Sequence, residues 1–358
     1  MNEGDSVDLR PETATAYLEE RGVFDSSEGL AASADALGGG VSNRVIRVRS
    51  RDRCLVLKQP LPDLAVEESW PADVSRIHNE AAAARAYAAV AREEGLGDRR
   101  GGYAVSVPEV LFEDEHDHVL AMECVPDTAA TWKTELLDGG VDVHIARALG
   151  RFLCTVHRTT ADRPGLRARF GDSTPFEQLR IEPYHRTTAA RHPAVADAIH
   201  AETERVLEAR RTLVHGDYSP KNVLVDRQGS GRNSEEVGST LWLIDFEVAH
   251  RGDPAFDTAF MCNHLLIKSV HNHEHREAYL DAARAFWRAY DERVAWEIER
   301  ETTRELAVLM LARVDGKSPV EYAGEDTRER LREISCRALL EGIETIEGYV
   351  SLTREVSA

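Results

Sequence analysis

Apolar and polar positions along the chain change rhythm near residue 126. Before it, apolar residues come in short runs. Val45-Ile46-Arg47-Val48 and Cys54-Leu55-Val56-Leu57-Lys58 read as strands, with Ser50-Arg51-Asp52-Arg53 as the hairpin turn between them. Residues 103–112 and 117–124 read as two more, the second stopped by Pro126-Asp127. Two helices interrupt this pattern. One spans 11–22, with Pro11 and Glu12 suited to its first turn. The other runs over about 73–92, where an Ala-rich run carries Glu80. After 127 the spacing turns helical, over 142–160, 175–188, 193–211 and most of 255–350. Two apolar strand-like segments, 213–225 and 241–248, flank a polar insert at 226–240. Strands with one main helix followed by a helical remainder predict an α+β fold. Its small β-rich lobe is 1–126 and its larger helical lobe 127–358.

Composition narrows the setting. The chain has 358 residues, which suits two lobes better than one core. No apolar stretch approaches the roughly 18–20 residues needed to cross a bilayer, so no membrane association is expected. The acidic, polar start lacks the basic and apolar parts of a secretory signal, which points to the cytoplasm. Five cysteines occur without a C-x-x-C pair, so reduced, buried thiols are expected rather than disulfides or zinc. His264, His271, His273 and His275 cluster, and a solvated helix end explains them without a metal.

The net charge is −19, which excludes generic nucleic-acid binding. Only five of the 44 basic residues are Lys, at 58, 133, 221, 268 and 317. An acidic chain with so little Lys fits a salt-rich cytoplasm, and a GC-rich genome would also favour Arg. Monomer and homodimer both stay open.

The chemistry concentrates in His215-Gly216-Asp217-Tyr218-Ser219-Pro220-Lys221-Asn222 and in Leu243-Ile244-Asp245-Phe246-Glu247. This D-x-x-x-x-N element, followed by an apolar strand ending in Asp, is what phosphoryl transfer to a hydroxyl requires. One carboxylate, Asp217, orients the hydroxyl and accepts its proton. An amide and a second carboxylate, Asn222 and Asp245, hold Mg²⁺ against the phosphates of ATP.

These elements resemble the aminoglycoside phosphotransferase and choline kinase-like superfamily, over nearly the whole chain. The resemblance implies a protein-kinase-like two-lobed fold and an ATP-dependent, Mg²⁺-dependent kinase for a small hydroxyl substrate. It implies a phosphate-covering loop at Gly38-Gly39-Gly40-Val41-Ser42-Asn43, with Gly39, Gly40, Ser42 and Asn43 near the nucleotide. Lys58 matches the strand Lys for the α- and β-phosphates, and Glu80 its helix partner. Met122-Glu123-Cys124-Val125 matches the hinge, with Glu123 and Val125 against adenine. Asp257 matches a structural Asp that braces the catalytic loop.

A narrower resemblance lies in Lys58-Gln59-Pro60-Leu61-Pro62, Glu68-Ser69-Trp70-Pro71 and Arg76 ahead of Glu80. These are similar to methylthioribose kinase, a methionine-salvage enzyme. That likeness implies a 5-methylthioribose-type acceptor, metal binding by Glu247 beside Asp245, acceptor contacts from Arg313, and a substrate-site place for Trp70, which either anchors its loop or packs on the nucleotide side. The chain departs from that family by keeping Asn222, by Val41 in the glycine loop, and by a single Arg at 313 where the family has a pair. A phosphotransferase for an aminoglycoside, choline or another amino alcohol, or homoserine is the alternative. An inactive nucleotide-binding module is a lesser one.

Overall fold

A computed structural model describes residues 7–38, 40–51, 53–65, 69–96, 102–227 and 239–357. Its strands are β1 (Ser33–Ala36), β2 (Asn43–Arg49), β3 (Cys54–Pro60), β4 (Tyr103–Ser106), β5 (Val110–Asp114), β6 (Val119–Glu123), β7 (Ala130–Thr131), β8 (Thr212–Val214), β9 (Val223–Asp226), β10 (Ser239–Leu243) and β11 (His250–Gly252). The chain divides into two compact units. One comprises residues 1–88 and 107–126, the other 89–106 and 127–358.

The first unit holds an antiparallel sheet in the order β1-β2-β3-β6-β5. Strand alternation turns Ile46, Val48, Leu55, Leu57, Val119 and Ala121 to one face. There they bury Ala14, Tyr17 and Leu18 of the helix Pro11–Glu20. The opposite face covers Ile77 and Ala81 of the helix Arg76–Glu93 with Leu120.

The second unit is mostly helical. Pro254–His271, Glu299–Asp315 and Glu325–Glu341 pack in succession, and Arg276–Asp291 lies against Val143–Ala161. Gly150 permits that last crossing, because a Cβ there would stand 2.3 Å from the Phe286 carbonyl oxygen. A small sheet, β4-β10-β9-β7, and the pair β11-β8 frame the loop after Val214.

The mixed fold matches the expectation from the sequence, with four differences. Residues 103–112 form two strands in different sheets. The break lies at Pro108, which lacks the N–H a ladder needs. The 175–188 segment is largely a π-helix, Glu177–Arg186, with Pro183 inside it. Cys54 and Cys124 form a disulfide, which corrects the expectation of reduced thiols. Register explains it. Leu55 pairs with Glu123, so Cys54 and Cys124 are cross-strand neighbours with a Cα separation of 5.5 Å. Cys154, Cys262 and Cys336 are free thiols. His264 is buried within Pro254–His271 and does not belong to a solvated helix end. Much of the polar insert, 228–238, and Asp52 of the hairpin turn lie outside the described residues.

Candidate active site

In the first unit, β3 and the helix Arg76–Glu93 bring Lys58 and Glu80 together. Both side chains are buried, and Lys58 Nζ lies 2.7 Å from the Glu80 carboxylate. Two opposite charges buried this closely compensate one another's lost hydration. Arg76 is also buried. It donates to the carbonyl oxygens of Ser42 at 2.6 Å and Leu61 at 2.9 Å, and so ties the glycine loop to the segment after β3. Asn43 Nδ2 donates to Ser42 Oγ at 2.9 Å. Gly40 precedes this turn; Gly39 and Glu68 lie outside the described residues.

Trp70 is a buried anchor, its N–H donating to Asp63 at 2.6 Å. Glu123 ends β6, and its N–H donates to the Glu109 carbonyl oxygen at 2.9 Å. Burial raises the pKa of its carboxyl. Val125 follows it, half-buried.

In the second unit, β8 delivers the chain to the His215-Gly216-Asp217 turn. Gly216 has φ +77°, and a Cβ there would stand 2.9 Å from Val248, so the turn requires glycine. Asp257, one turn into Pro254–His271, accepts from the N–H groups of His215 at 2.7 Å and Gly216 at 2.8 Å. Burial alone would push its carboxyl up. The bond to His157 and the charges and N–H groups around it hold its pKa below the ordinary value. His215 is buried and its pKa is lowered by that burial. Its Nδ1 faces the N–H of Asp217 and its Nε2 faces the Ile244 carbonyl oxygen, which requires the neutral tautomer with the proton on Nε2.

Asp217 is held through one oxygen. Asn222 Nδ2 donates to Oδ2 at 2.7 Å and to the Asp217 carbonyl oxygen at 3.0 Å. Arg180 Nη2 lies 2.9 Å from the same Oδ2. The short helical turn Pro220–Asn222 sets this spacing, and Ile244 N–H returns to the Asn222 carbonyl oxygen at 3.0 Å. Asp245 follows β10 with φ +71°, a left-handed conformation that is costly for a residue with a Cβ. Glu247 is buried two residues on.

The phosphotransferase enzyme family matches residues 33–301 of this chain. The chain belongs to that family. It is a phosphotransferase, a small-molecule kinase. Among solved structures it is similar to an amicoumacin kinase determined with AMP-PNP, Ca²⁺ and Ami. That match has 13% identity and a TM-score of 0.52, over 93% of this chain and 95% of the other. A choline/ethanolamine kinase family protein from Mesorhizobium loti matches at 20% identity, over 96% of this chain and 99% of that one, with a TM-score of 0.47. Spectinomycin phosphotransferase matches at 14% identity and a TM-score of 0.48, over 98% and 99%. No curated protein matches. Identities this low speak for the fold.

The most informative residue that sequence reasoning missed in this phosphotransferase is Arg180. It is buried, on the π-helix, and donates also to the carbonyl oxygens of Gly216 at 3.1 Å and Leu179 at 2.6 Å. Asp217, Glu247 and Asp245 all raise its pKa against the opposing effect of burial. Nothing in the local sequence marks it, because a π-turn is needed to aim it.

Arg313, half-buried near the end of Glu299–Asp315, donates to the Ser318 carbonyl oxygen, to Ser318 Oγ at 3.0 Å and to Tyr184 OH at 3.3 Å. The Tyr184 ring contacts both guanidinium groups, its centre 5.8 Å from Arg180 Cζ and 5.9 Å from Arg313 Cζ. Arg313 and Trp70 belong to different units.

Asn222, Asp245 and Glu247 offer oxygen donors of the hard type Mg²⁺ prefers. The strained backbone at Asp245 fits a carboxylate that must be aimed. Among the described residues no three His, Cys, Asp or Glu side chains form a complete cage. A cation held here would draw further ligands from water and phosphate, as Mg²⁺ commonly does. Among the described residues no helix is long and apolar enough to cross a membrane.

Proposed function

We propose that this phosphotransferase moves the γ-phosphoryl group of ATP to a hydroxyl of a small molecule, with Asp217 as the general base. The observation that carries this reading is the pinning of Asp217. Asn222 and Arg180 both engage Oδ2, which leaves Oδ1 to accept a proton. The acceptor oxygen bonds to the γ-phosphorus as its proton passes to Asp217, and ADP departs with the bridging oxygen. Asn222, Asp245 and Glu247 would hold Mg²⁺. That ion supplies charge neutralisation on the phosphates.

In the first unit, Lys58 would contact the α- and β-phosphates, oriented by Glu80. The loop with Gly39, Gly40, Ser42 and Asn43 would cover the phosphates. Adenine would lie against Glu123 and Val125, without the Glu123 N–H, which Glu109 already takes.

For the acceptor, our first reading is 5-methylthioribose or a related 5-deoxy or 5-thio pentose. Its supports are the strand end after Lys58, the Trp70 loop, and Arg313 in the same unit as Asp217. Arg76 and Trp70 also have structural duties, so Arg313 carries most of the acceptor argument.

An ATP-consumption screen with 5-methylthioribose, 5-deoxyribose, ribose, choline and kanamycin tests both levels. It should be run at low and at molar salt. Acceptor-dependent ATP loss that vanishes in Asp217→Asn is expected. A near-wild-type rate in that variant would remove Asp217 from the mechanism.

A further inference from the structure

The helix Pro254–His271 starts at the catalytic loop, where Asp257 sits. Residues 257, 260, 264, 268 and 271 recur at helical spacing along one stripe of it. Phe260 faces Arg180, with the guanidinium carbon 5.9 Å from the ring centre. His264 follows, 5.3 Å from Phe260 ring to ring. Lys268 comes next, and then His271 against Tyr322.

Lys268 is buried, with 1% of its surface exposed. Its ammonium has three donors. They meet the His264 carbonyl oxygen at 3.2 Å, the Tyr322 hydroxyl at 3.5 Å and the face of the Tyr322 ring. Among the described residues no carboxylate forms an ion pair with it. The nearby charges are mostly of its own sign. Lys133 and Arg313 act on it from other elements, and the one opposing carboxylate, Glu321, is already paired with Lys133. His264 feels Lys268, Arg313, Lys133 and Lys221 together. Arg313 keeps a buried Nε without a hydrogen bond.

The 318–322 segment ties three cations to one another, Arg313 through Ser318, Lys133 through Glu321 and Lys268 through Tyr322, in a protein of net charge −19. Lys133, Arg313 and Tyr322 are half-buried and Lys221 is exposed, so the cluster reaches solvent. A buried ammonium without a counter-charge is costly, and an anion brought beside it would offset that cost while keeping the proton.

Resting on the phosphotransferase reading, we propose that the acceptor is a hydroxylated anion whose carboxylate or phosphate is bound by Lys268, Lys133 and Arg313 while its hydroxyl faces Asp217. Tyr184 links the two ends, since Arg180 on Asp217 and Arg313 both lie against it. The same cluster repels a cationic amine, which disfavours aminoglycoside and amino-alcohol acceptors. It stands against uncharged 5-methylthioribose as the acceptor and keeps from the pentose reading only a sugar that carries an acidic group. Carboxylate and phosphate share the chemistry and differ in charge and donor demand.

The test compares ribose, ribonate and ribose 5-phosphate with choline and kanamycin as acceptors of the full-length enzyme. Ribonate or ribose 5-phosphate should exceed ribose at least about tenfold in kcat/KM. The ratio of those two anions identifies the group. In Lys268→Met that preference should fall at least about tenfold, mostly in the acceptor's kcat/KM rather than in KM for ATP. Lys268→Arg should retain part of it. Lys133→Met, at a half-buried position, gives the same reading if Lys268→Met does not fold. Calorimetric titration with both anions supplies a readout independent of turnover.

A preference for ribose, choline or kanamycin overturns the anion site and leaves the phosphotransferase reading standing. So does an anion preference that survives in both Met variants. Anion binding that depends on Lys268, without ATP turnover on any acceptor, keeps the anion site and removes the assignment of Asp217. Absence of both overturns the proposal.

Discussion

The two units differ in how much of their buried charge is left open around the proposed site. In the first, charges are closed within the protein. Lys58 is matched by Glu80 at 2.7 Å, and Arg76 spends its donors on backbone carbonyl oxygens. In the second, Arg205 is closed in the same way against Glu202 and Asp253, but the charges nearer the proposed acceptor are left part-open. Asp217 is held by one oxygen only, Lys268 lacks a carboxylate, and Arg313 keeps a bare Nε. A closed pair gives a fixed position. An open charge gives capacity for a ligand, at a cost in stability. The contrast places fixed positioning in the unit proposed for nucleotide and ligand capacity in the unit proposed for the acceptor.

The comparison breaks most readily on two substitutions of the same kind. Lys58→Met takes the ammonium away from the buried Glu80 carboxylate and should cost about 3–5 kcal/mol of stability. Lys268→Met removes a charge that has no such partner, so it should be neutral or stabilising. Urea denaturation of the two variants side by side measures this. Equal losses would mean that Lys268 is compensated after all.

Next in size is the open oxygen of Asp217. Asp217→Asn keeps the shape but cannot take the hydroxyl proton, and kcat should fall at least about 10²-fold with ATP binding retained. Asp245→Ala should remove Mg²⁺-dependent turnover, and Asn222→Ala should be damaging but less complete. Steady-state rates with Mg²⁺ titrated separately decide the order. Turnover that persists in Asp245→Ala would place the metal elsewhere.

The closed features were the more legible ones in the sequence. Lys58 and Glu80 were legible through the resemblance, as matches to a strand Lys and its helix Glu. The H-G-D turn was readable from its spacing to Asn222 and Asp245, and Asp257 through the same family resemblance. The open features depend on long-range geometry. Arg180 reaches Asp217 only because Glu177–Arg186 winds as a π-helix, which leaves no periodicity to detect. Lys268 carries no local signal either, and only its burial against Tyr322 and the His264 carbonyl oxygen marks it. The Cys54–Cys124 bridge was hidden in the same way. It follows from the pairing of β3 with β6, not from cysteine spacing.

Arg313 sharpens the contrast at a smaller scale. Its guanidinium satisfies Ser318 and Tyr184 through Nη1 and still presents other donors. Lys has the charge without that fork. Arg313→Lys should lower kcat/KM for the acceptor about tenfold, with KM for ATP little changed. Kinetics with acceptor and ATP varied separately would show it. Unchanged acceptor kinetics would make Arg313 a structural tie for the Ser318 loop.

The finest test uses pH. Burial, then Lys133 and Arg313, push the Lys268 pKa down from 10.5 to about 7. Below that value both folded and unfolded chains hold the proton, and the folded state bears the full penalty of a buried ammonium. Between about 7 and 10.5 the unfolded chain stays protonated while the folded chain releases its proton. The unfolded state then binds more protons, so the contribution of Lys268 to stability rises with pH. Lys268→Met lacks this group. The stability gap between the variant and the wild type should be widest near pH 6.5 and narrow steadily toward pH 9.5, as read from urea midpoints. Ribose 5-phosphate, if it binds as proposed, favours the charged ammonium and should flatten the trend in the wild type. A gap that does not change with pH would show that Lys268 keeps an ordinary pKa, and with it a partner or hydration that the closed-versus-open contrast denies it.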